Sequence, residues 1–280
     1  RASANRGQAR PRGNAFAYPL PCGNTTKLGA IVGDIVGSIY EFNNLKSKDF
    51  PLFQDHCTFT DDTILTIATA DALMDGWDFE DKYREYGRNY PSSYGGTFRL
   101  WIHDSNMGPY DSFGNGSAMR VSPVAWFEDK EHRVLELAKR SAEVTHNHPE
   151  GIRGAQATGM AILWARQGQS KDDIVAGIEE KFFYDISTPI DDIREGYEFD
   201  VTCQGSVPES IRCFYEANDF EDAIRNAVSL GGDSDTLAAI TGSIAEAKWG
   251  VPEAIEKEAL GRLDKALLKT FESFTDQYTN

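Results

Sequence analysis

Two stretches of the chain begin in the same uncommon way. FTDDTILTIATADALM (59–74) sets Asp61 and Asp62 side by side between threonines and then runs apolar at helical spacing. LGGDSDTLAAITGSIAEA (230–247) puts Asp233 and Asp235 ahead of a similar run. Asp62-Thr63-Ile64 followed by Ile67 lines up with Asp235-Thr236-Leu237 followed by Ile240. One acid or hydroxyl is enough to cap a helix, and an acid at the positive end of the macrodipole contributes about 0.3–1 kcal/mol. Capping never calls for a pair, because neighbouring carboxylates repel each other unless something positive lies between them. A fold that buries both helices must therefore deal with four carboxylates. Together with the hydroxyls of Thr60 and Thr236 they form a set of hard oxygen donors, the kind that Mg²⁺ or Mn²⁺ selects. Neither cluster holds a His or Cys, which disfavours zinc. If the two helix starts meet, they can build a two-metal centre.

The rest of the chain reads as helix. KLGAIVGDIVGSIYEF (27–42) repeats Gly29, Gly33 and Gly37 four apart, so one face of a helix carries no side chains and a second backbone can approach it. Its charged residues Lys27, Asp34 and Glu41 favour a buried helix of a soluble protein over a membrane pair. In EHRVLELAKRSAEVT (131–145), Val134, Leu137, Ala138, Ser141 and Ala142 form the inward stripe. EGIRGAQATGMAILWARQG (150–168), ended by Gly168, KDDIVAGIEEKF (171–182) and SVPESIRCFYEAN (206–218) follow the same rule. So do FEDAIRNAVSL (220–230) and KEALGRLDKALLKTFESF (257–274). Pro208 is expected near a helix start and Asp219 as an N-cap. Strand alternation is scarce; YEFDVTCQG (197–205) has room for one short extended piece. The expected architecture is a single all-α domain over 27–280, with Gly-, Ser- and Pro-rich loops at 89–98, 106–123 and 145–151. Trp101, Trp126 and Trp164 are expected in the core or in cleft walls.

Composition narrows the function. A net charge of −16 argues against bulk nucleic-acid binding, which needs a basic face. It does not exclude an anionic small ligand, since helix ends or bound metals reverse the sign locally. No apolar run approaches the roughly 20 residues of a membrane span. Cys22, Cys57, Cys203 and Cys213 form no tight cluster and read as free thiols in a reducing compartment, the cytoplasm. Residues 1–26, with four arginines and no acid, read as an extension outside the folded domain.

Five motifs in order, GAIVGDIVGSIYE, FTDDT, FGNGSAMRVSP, THNHPEGIRGAQA and LGGDSDT, resemble the ADP-ribosylglycohydrolases, the family of dinitrogenase-reductase-activating glycohydrolase and the ADP-ribosyl-acceptor hydrolases. The resemblance runs from about Lys27 to about Gly250. It implies an all-α fold with a binuclear Mg²⁺ (or Mn²⁺) centre in a cleft that takes ADP-ribose. Thr60, Asp61, Asp62, Asp233, Asp235 and Thr236 match the family's metal ligands. Glu41 matches the glutamate beside the scissile bond, and it is expected, with Asp62, to be catalytic. Asp34 is expected to be a structural neighbour of the metals. Gly114, Asn115, Gly116, Ser117 and Met119 match the loop that wraps ribose and phosphates. His146 matches a histidine on the ADP-ribose side. Tyr94 and Gly95 fall where the family has a substrate-facing loop. Asp104 and Asp111 are candidates for an aspartate that assists arginine-specific members. From the residues alone, SFGNGSAM is a Gly-rich nest suited to phosphate or simply a loop needing positive φ.

The implied activity is hydrolysis, with Mg²⁺, of the bond between ADP-ribose and an acceptor, releasing ADP-ribose from an ADP-ribosylated protein or small molecule by a monomeric enzyme. The rivals are a silent ADP-ribose-binding or immunity-type protein of the same fold, and a metal-dependent phosphoesterase. The acceptor is left open among arginine, serine, poly(ADP-ribose), a nucleobase and a small molecule.

Overall fold

A computed structural model describes residues 26–278, so the expected extension at 1–26 lies, but for Thr26, outside the described residues. The chain starts with α1 (Gly29–Gly37), α2 (Asp61–Met74), α3 (Phe79–Asn89), α4 (Gly96–His103) and α5 (Gly116–Met119). There follow α6 (Ser122–Phe127), α7 (Glu131–Glu143), α8 (Pro149–Arg166), α9 (Lys171–Phe182) and α10 (Ile190–Gly196). It ends with α11 (Cys203–Glu216), α12 (Phe220–Ser229), α13 (Ser234–Trp249), α14 (Glu253–Leu260) and α15 (Lys265–Gln277). Among the described residues there is no strand, and one antiparallel bridge, Gly114 with Thr202, is all that the extended piece at 197–205 supplies.

The glycine stripe of α1 decides the centre of the molecule. A Cβ on Gly33 would lie 2.0 Å from the Ala238 carbonyl oxygen, and one on Gly37 2.5 Å from Asp235 Cα. The backbones of α1 and α13 therefore touch along their length and run antiparallel. The far end of the contact is tied by buried Glu246, which accepts from Gly29 N at 2.6 Å and from the Thr26 hydroxyl at 3.0 Å. The near end brings the start of α13 to the end of α1, and so next to Glu41.

A second tie brings in α2. Asp34, fully buried on α1, accepts from Thr60 Oγ1 (2.7 Å) and Thr60 N (2.9 Å), and from Thr63 N (3.0 Å) and Thr63 Oγ1 (2.5 Å). These are donors at the start of α2 that the helix itself cannot satisfy. Around this centre α8, α11 and α12 pack on α13, while α3, α6 and α15 cover α2. The stripe of α7 is buried as expected, and Asp219 caps α12 by accepting from Asp222 N at 2.8 Å.

Three local expectations are corrected. The segment 257–274 is two helices, because Asp264 caps a new one by accepting from Ala266 N and Leu267 N at 2.8 and 2.9 Å. Pro208 lies inside α11, which starts earlier because the Thr202 side chain caps it. The loop at 106–123 contains α5 and the first two residues of α6. Trp101, Trp126 and Trp164 are core residues, and none lines the cleft described next.

Candidate functional site

The starts of α2 and α13 meet at the floor of a cleft of about 500 Å³. The contact is direct: Thr236 Oγ1 donates to Asp62 Oδ1 at 3.0 Å. One carboxylate oxygen each from Asp34, Asp62 and Asp235 lies within 4.8 Å of the others, and the same holds for Glu41, Asp233 and Asp235. Asp235 belongs to both groups. Asp61 faces the cleft and accepts from Ser92 Oγ at 3.3 Å. Asp233 accepts from Asn115 Nδ2 at 2.6 Å, which ties the α13 start to the GNG loop.

No lysine or arginine forms an ion pair with any of these acids among the described residues. The chemistry of the cluster follows. Burial pushes the carboxyls of Asp61 and Asp233 up. Burial, and then the charges of Asp34, Asp61 and Asp233, push Asp62 well up, and Asp235 is raised in the same way by burial and then by Asp62 and Asp233. Glu41, half-buried, is raised to about 7 by burial and by Asp233, Asp61 and Asp34. Asp34 is raised to about 6 by burial, against the four bonds it accepts. A buried cluster of repelling oxygens with no basic side chain paired to it among the described residues is a fitting donor set for hard divalent ions. Asp34 is less free to join one than the distances alone suggest, because both its oxygens already serve Thr60 and Thr63.

The other expected residues divide. Gly95, Gly114, Asn115, Gly116, Met119 and His146 line the cleft with the acids. Tyr94 does not: its buried ring packs on Phe98 and its hydroxyl donates to Tyr90 O, so the neighbouring Ser93 reaches the cleft instead. The Ser117 hydroxyl turns away and donates to Gly151 O at 2.7 Å. Thr60 caps α2, accepting from Asp62 N while giving its hydroxyl hydrogen to Asp34. Asp104 and Asp111 lie outside the lining, in exposed turns. His148 caps α8 by accepting from Glu150 N at 3.1 Å.

Further residues line the cleft beyond those expected. Phe42 and Phe199 stack at the mouth beside Glu41, with centroids 6.2 Å apart, planes 21° apart, and exposures of 79% and 49%. Tyr110 and Arg120 line the wall near His146. Phe42 follows Glu41 in its motif and Arg120 ends the GNGSAMR motif, whereas Phe199 comes from a segment whose facing is set only by packing.

Known proteins share this arrangement of the chain. The model of the ADP-ribosylglycohydrolase family matches residues 26–279. Similar relatives include ADP-ribosylhydrolase ARH3 of Mus musculus, 25% identical over 320 residues, with 83% of this chain and 86% of that protein covered. Another is ADP-ribosylarginine hydrolase Tri1 of Pseudomonas putida (strain GB-1), 25% identical over 280 residues, with coverage of 83% and 72%. A solved structure described as an ADP-ribosylglycohydrolase-related protein complex superposes with a TM-score of 0.68 at 26% identity, over 90% of this chain and 94% of that one. A match over nearly the whole described chain, together with the shared helical fold, means that the protein belongs to the ADP-ribosylglycohydrolase family.

Proposed function

We propose that the protein is a Mg²⁺-dependent hydrolase that cleaves the glycosidic bond between ADP-ribose and an acceptor. The observation that carries this reading is the meeting of two acid-led helices, joined by the Thr236–Asp62 bond, at the floor of one cleft. Thr60, Asp61, Asp62, Asp233, Asp235 and Thr236 would hold the ions, with Asp235 shared between the two groups of carboxylates. When bound, two divalent ions supply positive charge that orients the ribose hydroxyls and polarises the attacking water.

The chain's own groups do the rest. The glycine wall at Gly114 and Gly116, with His146 beside it, takes the phosphate end of the ligand and fixes its register. The carboxylates at the floor stabilise the positive charge that builds at the anomeric carbon as the bond to the acceptor breaks. Glu41, raised towards neutrality at the mouth, hands a proton to the leaving acceptor atom or takes one from the water. Phe42 and Phe199 border the space where the acceptor leaves.

The test is a panel of differently linked ADP-ribosyl substrates incubated with and without Mg²⁺. Release of ADP-ribose only with Mg²⁺ is the expected result. Release of phosphate instead assigns the carboxylates to a phosphoesterase, and ADP-ribose binding without turnover of any linkage assigns the silent binding protein.

A further inference from the structure

Arg120 is a buried cation with no acidic partner among the described residues. It follows α5, its side chain is fully buried, and its guanidinium carbon lies 4.1 Å over the Tyr83 ring. Nη2 donates to Ser141 O and to Thr145 Oγ1, both at 2.9 Å. Nε and Nη1 are buried without a hydrogen-bond partner among the described residues. Burying an ion this way is costly, and two neutral hydrogen bonds with one ring face are poor compensation. Its position in the fold accounts for it better than stability does.

Thr145 Oγ1 also lies 2.7 Å from His146 Nδ1. The Arg120 N–H can only donate, so it occupies a lone pair of the hydroxyl. The hydroxyl keeps a second lone pair and its one hydrogen, and that hydrogen has Nδ1 within reach as an acceptor; donation from Oγ1 to Nδ1 is the arrangement that leaves the hydroxyl hydrogen served. An imidazole that accepts at Nδ1 carries its proton at Nε2. Nε2 faces the glycine wall: a Cβ on Gly116 would lie 3.1 Å from it and one on Gly114 3.5 Å. The Tyr110 ring, 6.2 Å from the imidazole, closes the same side, with its phenol turned to Thr145. Burial, and then the Arg120 charge, keep the imidazole neutral.

We infer that Arg120 is a positioning residue: acting through the Thr145 hydroxyl, it locks His146 in the Nε2–H tautomer, so the cleft wall presents a fixed, uncharged hydrogen-bond donor between Gly114 and Gly116. Only the identity of the acceptor of that bond, a phosphate oxygen, rests on the ADP-ribose reading.

Imidazole ¹⁵N resonances of the full-length, ¹⁵N-labelled protein at neutral pH test it, with His146 assigned by its loss in His146→Gln. Nδ1 in the unprotonated range and Nε2 in the protonated range are expected; a protonated Nδ1 overturns the inference. In Thr145→Val, which keeps the side-chain shape, the tautomer preference should be lost and ADP-ribose affinity should fall about tenfold, one net hydrogen bond. Thr145→Ser should restore both. An unchanged His146 spectrum in folded Thr145→Val overturns the relay, and if that variant fails to fold, the wild-type spectrum together with Arg120→Lys, expected to disturb the tautomer, decides. A wild-type protein with the expected tautomer and no ADP-ribose binding leaves the relay standing and removes the functional reading instead.

Discussion

The Thr236 hydroxyl donates to the Asp62 carboxylate across 3.0 Å, although 174 positions of sequence separate them. That bond fastens one acid-led helix to the other, and it places a neutral donor against a carboxylate whose oxygen lies within 4.8 Å of one from Asp235. It relieves only part of the repulsion, since burial and the surrounding charges still push Asp62 well up.

Removing one of those charges should separate stability from function. Asp62→Asn and Asp235→Asn keep the shape and lessen the repulsion, so the metal-free variants should melt several degrees above the metal-free wild type, at about 2–4 °C per kcal/mol. The rise in melting temperature on adding Mg²⁺ should vanish, and release of ADP-ribose should fall at least about 100-fold. Full activity in either variant would show that these carboxylates do not hold the ions.

The metal-free protein should lose stability as pH rises. The carboxyls of Asp34 and Glu41 stand at about 6 and about 7 in the folded chain, above their ordinary values of 3.8 and 4.5. Between those limits the folded state holds more protons than the unfolded state, and stability then falls with increasing pH. The contribution is fully present below about pH 4 and is lost by about pH 7. Melting curves in chelator across this range should slope downwards, and Mg²⁺ should flatten them. A chelated protein whose stability rises from pH 5 to 7 would contradict the repulsive cluster.

Asp34→Ala should destabilise without touching a substrate. It strips four hydrogen bonds from Thr60 and Thr63 and leaves their buried amides unserved, at a cost of roughly 3 kcal/mol or more. Denaturant unfolding reads this directly; a loss below about 1 kcal/mol would mean that α2 is held elsewhere.

Gly33→Ala should be the most damaging methyl in the chain centre, because the new Cβ would sit 2.0 Å from the Ala238 carbonyl oxygen. We expect a loss of about 3 kcal/mol or more, or no soluble protein. Gly196→Ala is the control: nothing lies within 4 Å of its Cβ, and a change within about 1 kcal/mol is expected. Similar melting temperatures for the two variants would refute the backbone contact between α1 and α13.

Much of the protein is legible without coordinates because its signals are local. Apolar spacing marks the helices, the glycine stripe announces a touching pair, and two acid pairs ahead of apolar runs announce a site for cations. These depend on residues within a few positions of one another, where helical geometry alone decides the facing. Tertiary structure decided which helix the stripe meets and that Asp34 serves the start of α2. It also turned Ser93 to the cleft in place of Tyr94, buried Arg120 behind His146, and brought Phe199 against Phe42. No local pattern encodes such choices. They follow from burying the largest apolar area with every buried donor served, and that balance is struck across the whole chain.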